Sequence, residues 1–263
     1  IRNTGNVTHT FSNTYRVSGA LPSGGRILNV PSAYATIQAA INAATPGDTV
    51  IIAAGTYNER VSTKVSGTSD HRITMVGVGN PTMTKLTAAH DYWDFENFRI
   101  SGETTQFGHL IYVNGADNCT FDGLTVDGNY AYKVYGICWG SDEGSDNIVR
   151  NCVIEEIRSY PMLNMDGERN LFTASTVRNG YDVDFVRLFG IGNTIRGNLF
   201  ENNVLTPIEL GEPGFHPDFV QTFGDNWDES YNHVIEQNII RNAPVAQISQ
   251  LSATGQPNIR DWT

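Results

Sequence analysis

His216, Asp218 and Gln221 fall within the run Gly214-Phe-His-Pro-Asp-Phe-Val-Gln221, and Asp184 and Arg187 stand one repeat earlier. These residue types suit acid–base work. A histidine titrates near neutrality and can take a proton as a general base. An arginine beside amides such as Asn164 and Gln221 holds a carboxylate through charge-assisted and amide hydrogen bonds. Tyr160 and Tyr181 offer phenols as proton donors. Two carboxyl groups would support hydrolysis of a glycosidic bond instead. A spacing of about 5 Å, as for Asp184 with Asp218 on neighbouring strands, suits a retaining pair, and the diagonal Asp166 with Asp218 suits an inverting one.

These side chains meet only if the chain stacks them. Five segments end in Gly with Asn a short gap later: His109 to Gly115 before Asn118, Val134 to Gly140 before Asn147, Pro161 to Gly167 before Asn170, Asp184 to Gly190 before Asn193, and Asp218 to Gly224 before Asn232. Asn147, Asn170 and Asn193 are 23 residues apart each time. Seven positions after each of these three sits an apolar residue, Ile154, Val177 and Phe200, and Ile239 stands seven after Asn232. A fixed period in the twenties predicts a solenoid. Gly supplies the left-handed backbone of a tight corner, and a corner Asn can hydrogen-bond to the copies above and below it. Residues 141–146 and 225–231 lengthen two corners, and such insertions become loops on one face.

Stacked parallel strands lie about 4.8 Å apart with side chains alternating between faces. Aligned on the terminal Gly, the second and fourth positions back are Val113/Ile111, Cys138/Gly136, Met165/Leu163, Leu188/Val186 and Thr222/Val220, and are expected in the core. The third column, Tyr112, Ile137, Asn164, Arg187 and Gln221, and the first, Asn114, Trp139, Asp166, Phe189 and Phe223, are expected outside. Strict alternation would turn the strand starts His109, Val134, Pro161, Asp184 and Asp218 inward, but they sit at a corner, where parity can reset. The candidate catalytic residues are therefore His216, Asp218, Arg187, Asp184 and Tyr160. The candidate substrate-binding residues are Gln221, Asn164, Asp166, Tyr112, Trp139 and Lys133.

Upstream, Ala35, Ile37, Ala40, Ile41 and Ala44 form one apolar stripe at the helical period. The pattern predicts a helix over about 33–44 with Ser32 as N-cap, stopped by Pro46-Gly47-Asp48 and followed by a buried strand Thr49 to Ile52. No second helix–strand alternation follows. The chain thus reads as all-β: a right-handed, single-stranded parallel β-helix over residues 28–263 with a short capping helix, rungs from about residue 49, and an N-terminal extension over 1–27. Val245 to Thr263 begins another rung without a closing element, so homo-oligomerisation or further C-terminal rungs are expected.

The cap followed by a helix-free repeat resembles the start of the right-handed parallel β-helix proteins of the pectate-lyase-like superfamily. The His216-Pro-Asp-x-Val-Gln221 run resembles a motif of bacterial and phage β-helix proteins acting on uronate or capsular polysaccharides, and, in reversed order, the Asp-Pro-His of alginate epimerases. As architecture the resemblance spans about 28–245. It implies a polysaccharide partner and β-elimination or C5-epimerisation of a uronate. Arg187, Asn164 and Gln221 would neutralise the carboxylate, His216 would remove the C5 proton, and Tyr160 or Tyr181 would protonate the leaving oxygen. A paired-Asp hydrolase and a non-catalytic glycan-binding β-helix of a phage tail or adhesin are the alternatives. Calcium is the one cofactor the resemblance allows, yet the several calcium-binding carboxylates with a downstream Arg of pectate lyases are not matched. Neither are the Asn-Thr-Asp and paired-Asp signatures of polygalacturonases. The resemblance also implies a secreted, cell-surface or virion-associated protein.

Composition narrows the partners. A net charge of −11 over 263 residues argues against nucleic acid, and against a polyanionic substrate unless a local basic patch exists. No apolar run is long enough for a membrane-spanning helix. The three cysteines are an odd, sparse set, and a buried free thiol is expected at Cys138.

Overall fold

The structure is a computed structural model that describes residues 25–140, 142–205, 218–222 and 230–243, and the backbone of 248–250. The chain coils as a parallel β-solenoid with three faces. The first face stacks nine strands, from Ile27–Val30 through Thr49–Ile52 to Val234–Glu236. The second runs from Arg99–Ser101 through Thr176–Tyr181 to Ile239–Arg241. The third carries His109–Val113, Tyr135–Trp139, Leu163–Met165, Val186–Leu188, Val220–Thr222 and Ile248–Gln250. One long strand, Thr82–Ala88, joins the second and third faces: its start pairs with Arg99 and its end with Ile111 to Val113.

Inside, like sits on like. Phe95 stacks on Phe121 at 5.0 Å between ring centroids. Ile100, Val126, Ile154, Val177 and Phe200 form a buried column of the second face. Each such side chain contributes roughly 1.5–3 kcal/mol by leaving water. The next member of that column is Ile240, paired with Phe200, whereas Ile239, seven positions after Asn232, is exposed.

The helix is shorter than expected, Ile37–Ala43, and Thr36 rather than Ser32 caps it, its hydroxyl accepting from Ala39 N–H at 3.1 Å. Glu59 from the neighbouring strand accepts from the Ile37 and Gln38 amides at 2.9 and 3.0 Å. Those donors have no partner within the helix, so a carboxylate from the first rung docks the cap. Ile37, Ala40 and Ile41 are buried against the core as the stripe requires, while Ala35 is exposed.

The corner asparagines form the expected ladder. Asn147 N–H donates to Asn170 Oδ1 at 2.9 Å, and Asn170 N–H to Asn193 Oδ1 at 2.8 Å. Its ends are not Asn118 and Asn232. Those two adopt left-handed backbone, and the following residues, Cys119 and His233, occupy the ladder positions. A second ladder, Cys152–Ser175–Asn198–Asn238, runs along another corner. Its mixed residue types hid it from a search for repeated Asn.

One register differs from the Gly-based alignment. Tyr112 pairs with Cys138, and Cys138 with Asn164. Ile137 and Trp139 therefore point into the core, and Cys138 takes the outward column, where it is covered. The cause lies in the inserted corner. A Cβ on Gly167 would strike the carbonyl of Gly144, and one on Gly190 the carbonyl of Gly167. Gly144, not Gly140, is thus the rung equivalent, and Gly144-Ser-Asp-Asn147 keeps the Gly-x-x-Asn spacing. All three cysteines are free and buried.

Candidate functional site

The outer surface of the third face gathers the polar residues. Five of its strands are entered through two consecutive buried residues: Leu110-Ile111, Gly136-Ile137, Met162-Leu163, Phe185-Val186 and Phe219-Val220. This doubled inward step resets the alternation. Each strand start then lies on the same outer side as the residue three positions later. The pairs are His109 with Tyr112, Tyr135 with Cys138, Pro161 with Asn164, Asp184 with Arg187, and Asp218 with Gln221. Three of them touch directly. The His109 and Tyr112 rings stack at 4.6 Å. Arg187 Nε donates to Asp184 Oδ2 at 2.8 Å, and Gln221 Nε2 to Asp218 Oδ2 at 3.4 Å.

Tyr112, Cys138, Asn164, Arg187 and Gln221 consequently form one continuous outer column over consecutive rungs. Asn164 Nδ2 lies 3.6 Å from Cys138 Sγ. Asp184 and Asp218 occupy the same column on adjacent rungs, as expected, with the Asp218 N–H donating to Asp184 Oδ1 at 3.0 Å. Both carboxyl groups are buried, Asp218 completely. Burial pushes the Asp184 pKa up, against the pull of Arg187. Asp166 is half-buried and accepts from the Gly167 amide at 2.8 Å.

Tyr135 and His109 belong to this surface, although neither stood among the candidate residues. Their rings lie 4.9 Å apart, and Tyr160 packs edge-on to Tyr135 at 4.5 Å. Burial, and then Tyr160, push the Tyr135 phenol up to about 12. Burial and then Lys85 bring the His109 imidazole down to about 4, so it is neutral at pH 7. Register alone would have found Tyr135, but the one-residue slip put Val134 in its place. Burial likewise brings the Cys138 thiol up to about 12, which removes it as a nucleophile.

Trp139, expected as an outer contact, is 2% exposed and belongs to the core, its indole N–H lacking a hydrogen-bond partner. Tyr181 turns away to Glu156, its hydroxyl 3.2 Å from Oε2. Lys133 and Tyr160 lie in the loops between the second and third faces, both against Phe107. His216 and Phe223 fall outside the described residues. Among the described residues, no group of three or more His, Cys, Asp or Glu converges as a metal site.

These features define a pectate-lyase-like, right-handed parallel β-helix with one polar, aromatic-edged face. The chain belongs to the right-handed β-helix family, whose model, described as a right handed beta helix region, matches residues 109–260. Solved structures of similar fold include the pectate lyase Pel9A, with TM-score 0.59 and 15% identity over 91% of this chain and 80% of that one. A pectin methylesterase from Aspergillus niger gives 0.56 and 14% over 92% and 85%. A rhamnogalacturonan lyase gives 0.52 and 11% over 87% and 85%. No curated protein sequence matches the chain.

Proposed function

We propose that this protein is a carbohydrate-active enzyme that cleaves or epimerises a uronate-containing polysaccharide through its third face. The observation that carries the reading is the outer column Asn164–Arg187–Gln221, which stacks an amide, a guanidinium and a second, buried amide at successive rung heights. A uronate carboxylate held there loses charge repulsion, and its C5 proton becomes removable. His109, which is neutral at pH 7, and His216 are the candidate bases. Tyr135, whose phenol burial pushes up to about 12, or Tyr160 is the candidate acid for the leaving oxygen. In an epimerase the same acid would return a proton to the opposite face of C5. The names of the fold neighbours, two of them polysaccharide lyases and one a pectin methylesterase, support a glycan substrate.

The hydrolase reading is weaker. Asp184 has one oxygen engaged by Arg187 and the other by the Asp218 amide, and a nucleophile needs a free oxygen at the surface. The test is a panel of acidic polysaccharides assayed in parallel for unsaturated-uronate absorbance, for solvent deuterium at C5, and for reducing ends. Absorbance marks a lyase, and deuterium without cleavage marks an epimerase. Reducing ends without absorbance would sink both. His216→Ala and Asp218→Asn are expected to lower turnover by roughly 10²-fold or more. No loss in either would remove that residue from the mechanism.

A further inference from the structure

Every arginine among the described residues has a carboxylate partner except Arg158. Its Nε is buried without a hydrogen-bond partner, and its guanidinium sits 5.0 Å from the Tyr130 ring and 5.2 Å from the Tyr132 ring. Lys133 likewise rests on rings, 5.1 Å from Tyr132 and 5.9 Å from Phe107, with no carboxylate partner. In a chain of net charge −11, two cations left without acids in one place form a local basic patch. The rings around them are exposed: Phe107 by 50%, Tyr130 by 42% and Tyr132 by 45%.

The platform is held rigidly. Phe107 N–H donates to Lys133 O at 2.8 Å, Lys133 N–H to Arg158 O at 3.1 Å, and Tyr130 N–H to Glu156 O at 2.9 Å. Its rings also continue into the third face. Phe107 meets Tyr160 at 5.5 Å, Tyr160 meets Tyr135 at 4.5 Å, and Tyr135 meets His109 at 4.9 Å. A chain lying along that face can therefore reach the platform.

We infer that Tyr130, Tyr132, Lys133 and Arg158 form a subsite for an acidic sugar unit next to the reacting one. The exposed rings take the apolar C–H face of the sugar, and the two cations, which have no internal carboxylate, take its anionic group. The inference rests on the acidic-glycan reading above and adds where selection for charge resides. Because the cations and rings are already ordered, binding loses little side-chain entropy.

The experiment is titration calorimetry of the whole chain with hexameric oligogalacturonate, hexameric oligomannuronate and cellohexaose. The wild type is expected to bind at least one acidic hexamer and to bind cellohexaose at least about tenfold more weakly, a gap that narrows in high salt. Lys133→Gln, Arg158→Gln and Tyr132→Ala are each expected to raise the dissociation constant for the acidic hexamer about tenfold. Melting curves accompany each variant, and the loop position of Lys133 lets that substitution carry the test if Arg158→Gln does not fold. Binding of neither acidic hexamer overturns the inference, as does equal affinity for cellohexaose, or unchanged affinity in Lys133→Gln. Acidic-hexamer binding that these variants weaken, with no elimination or epimerisation in any assay, would leave the subsite standing and reject the proposed reaction. Uronate products with variant affinities unchanged would do the reverse.

Discussion

Arg187 Nε, on the strand Val186–Leu188, and Asp184 Oδ2, at its entry, are 2.8 Å apart, although residues three apart in regular extended chain point to opposite faces. Two consecutive core residues between them, Phe185 and Val186, bring the pair together. Burial pushes the Asp184 pKa up and Arg187, itself one-third exposed toward solvent, pulls against that push. One guanidinium thus serves both the fold and the column that would hold a uronate.

Arg187→Ala is expected to lower turnover by roughly 10²–10³-fold, as for loss of a charge-stabilising donor. It should also lower the melting temperature, because Asp184 is left buried without its cation. Asp184→Asn added to Arg187→Ala should restore much of the stability and none of the turnover. Paired melting and rate measurements check this, and recovery of rate in the double variant would refute it.

His233 sets a pH window for stability. Burial lowers its pKa from 6.5 to about 4. Its Nδ1 accepts from Asn193 N–H at 3.2 Å, and its Nε2 lies 3.0 Å from Ser230 Oγ. The unfolded chain takes up a proton that the native chain refuses, so stability should fall as pH drops from about 6.5 towards 4. His233→Asn places the ladder's usual residue there and should flatten that slope. Urea midpoints across the window read the difference.

Glu103 acts at lower pH. Burial opposes its charge, but Arg60, bonded at 3.0 and 2.9 Å, and the Thr105 amide and hydroxyl win, and its pKa falls from 4.5 to about 2. Its contribution is fully present above about 4.5 and is lost as pH falls towards 2. Glu103→Gln should lower the melting temperature at pH 7 and have a smaller effect at pH 3. An equal effect at both values would show that charge is not the cause.

The Asn170 side chain ties two adjacent rungs together. Its Oδ1 accepts from Asn147 N–H, and its Nδ2 donates to Gly144 O and Asp166 O, both at 2.7 Å. Asn170→Ala strands these buried groups at about 1–3 kcal/mol each, so a loss of at least about 2 kcal/mol is expected in denaturant unfolding. A loss below about 0.5 kcal/mol would mean that water takes over the amide's bonds.

The solenoid, its period and its cap were legible in the chain itself, because each depends on local chemistry. Gly and Asn at corners answer to backbone conformation, and the stripe Ile37–Ala40–Ile41 answers to helical spacing. The same holds for the order Asn164, Arg187, Gln221 in one column, since these strands share one spacing to their terminal Gly. Which of two glycines, Gly140 or Gly144, stacks at the corner was decided only in three dimensions, by whose carbonyl lies against Gly167. The pairing of Cys138 with Tyr112 and Asn164 turned Trp139 inward and set Tyr135 beside His109. Tertiary packing likewise put His233 rather than Asn232 in the ladder and turned Asp184 outward over two core residues. A period written in residue types locates a rung to within one position. On a strand one position is a change of face, and only the packed core chooses the face.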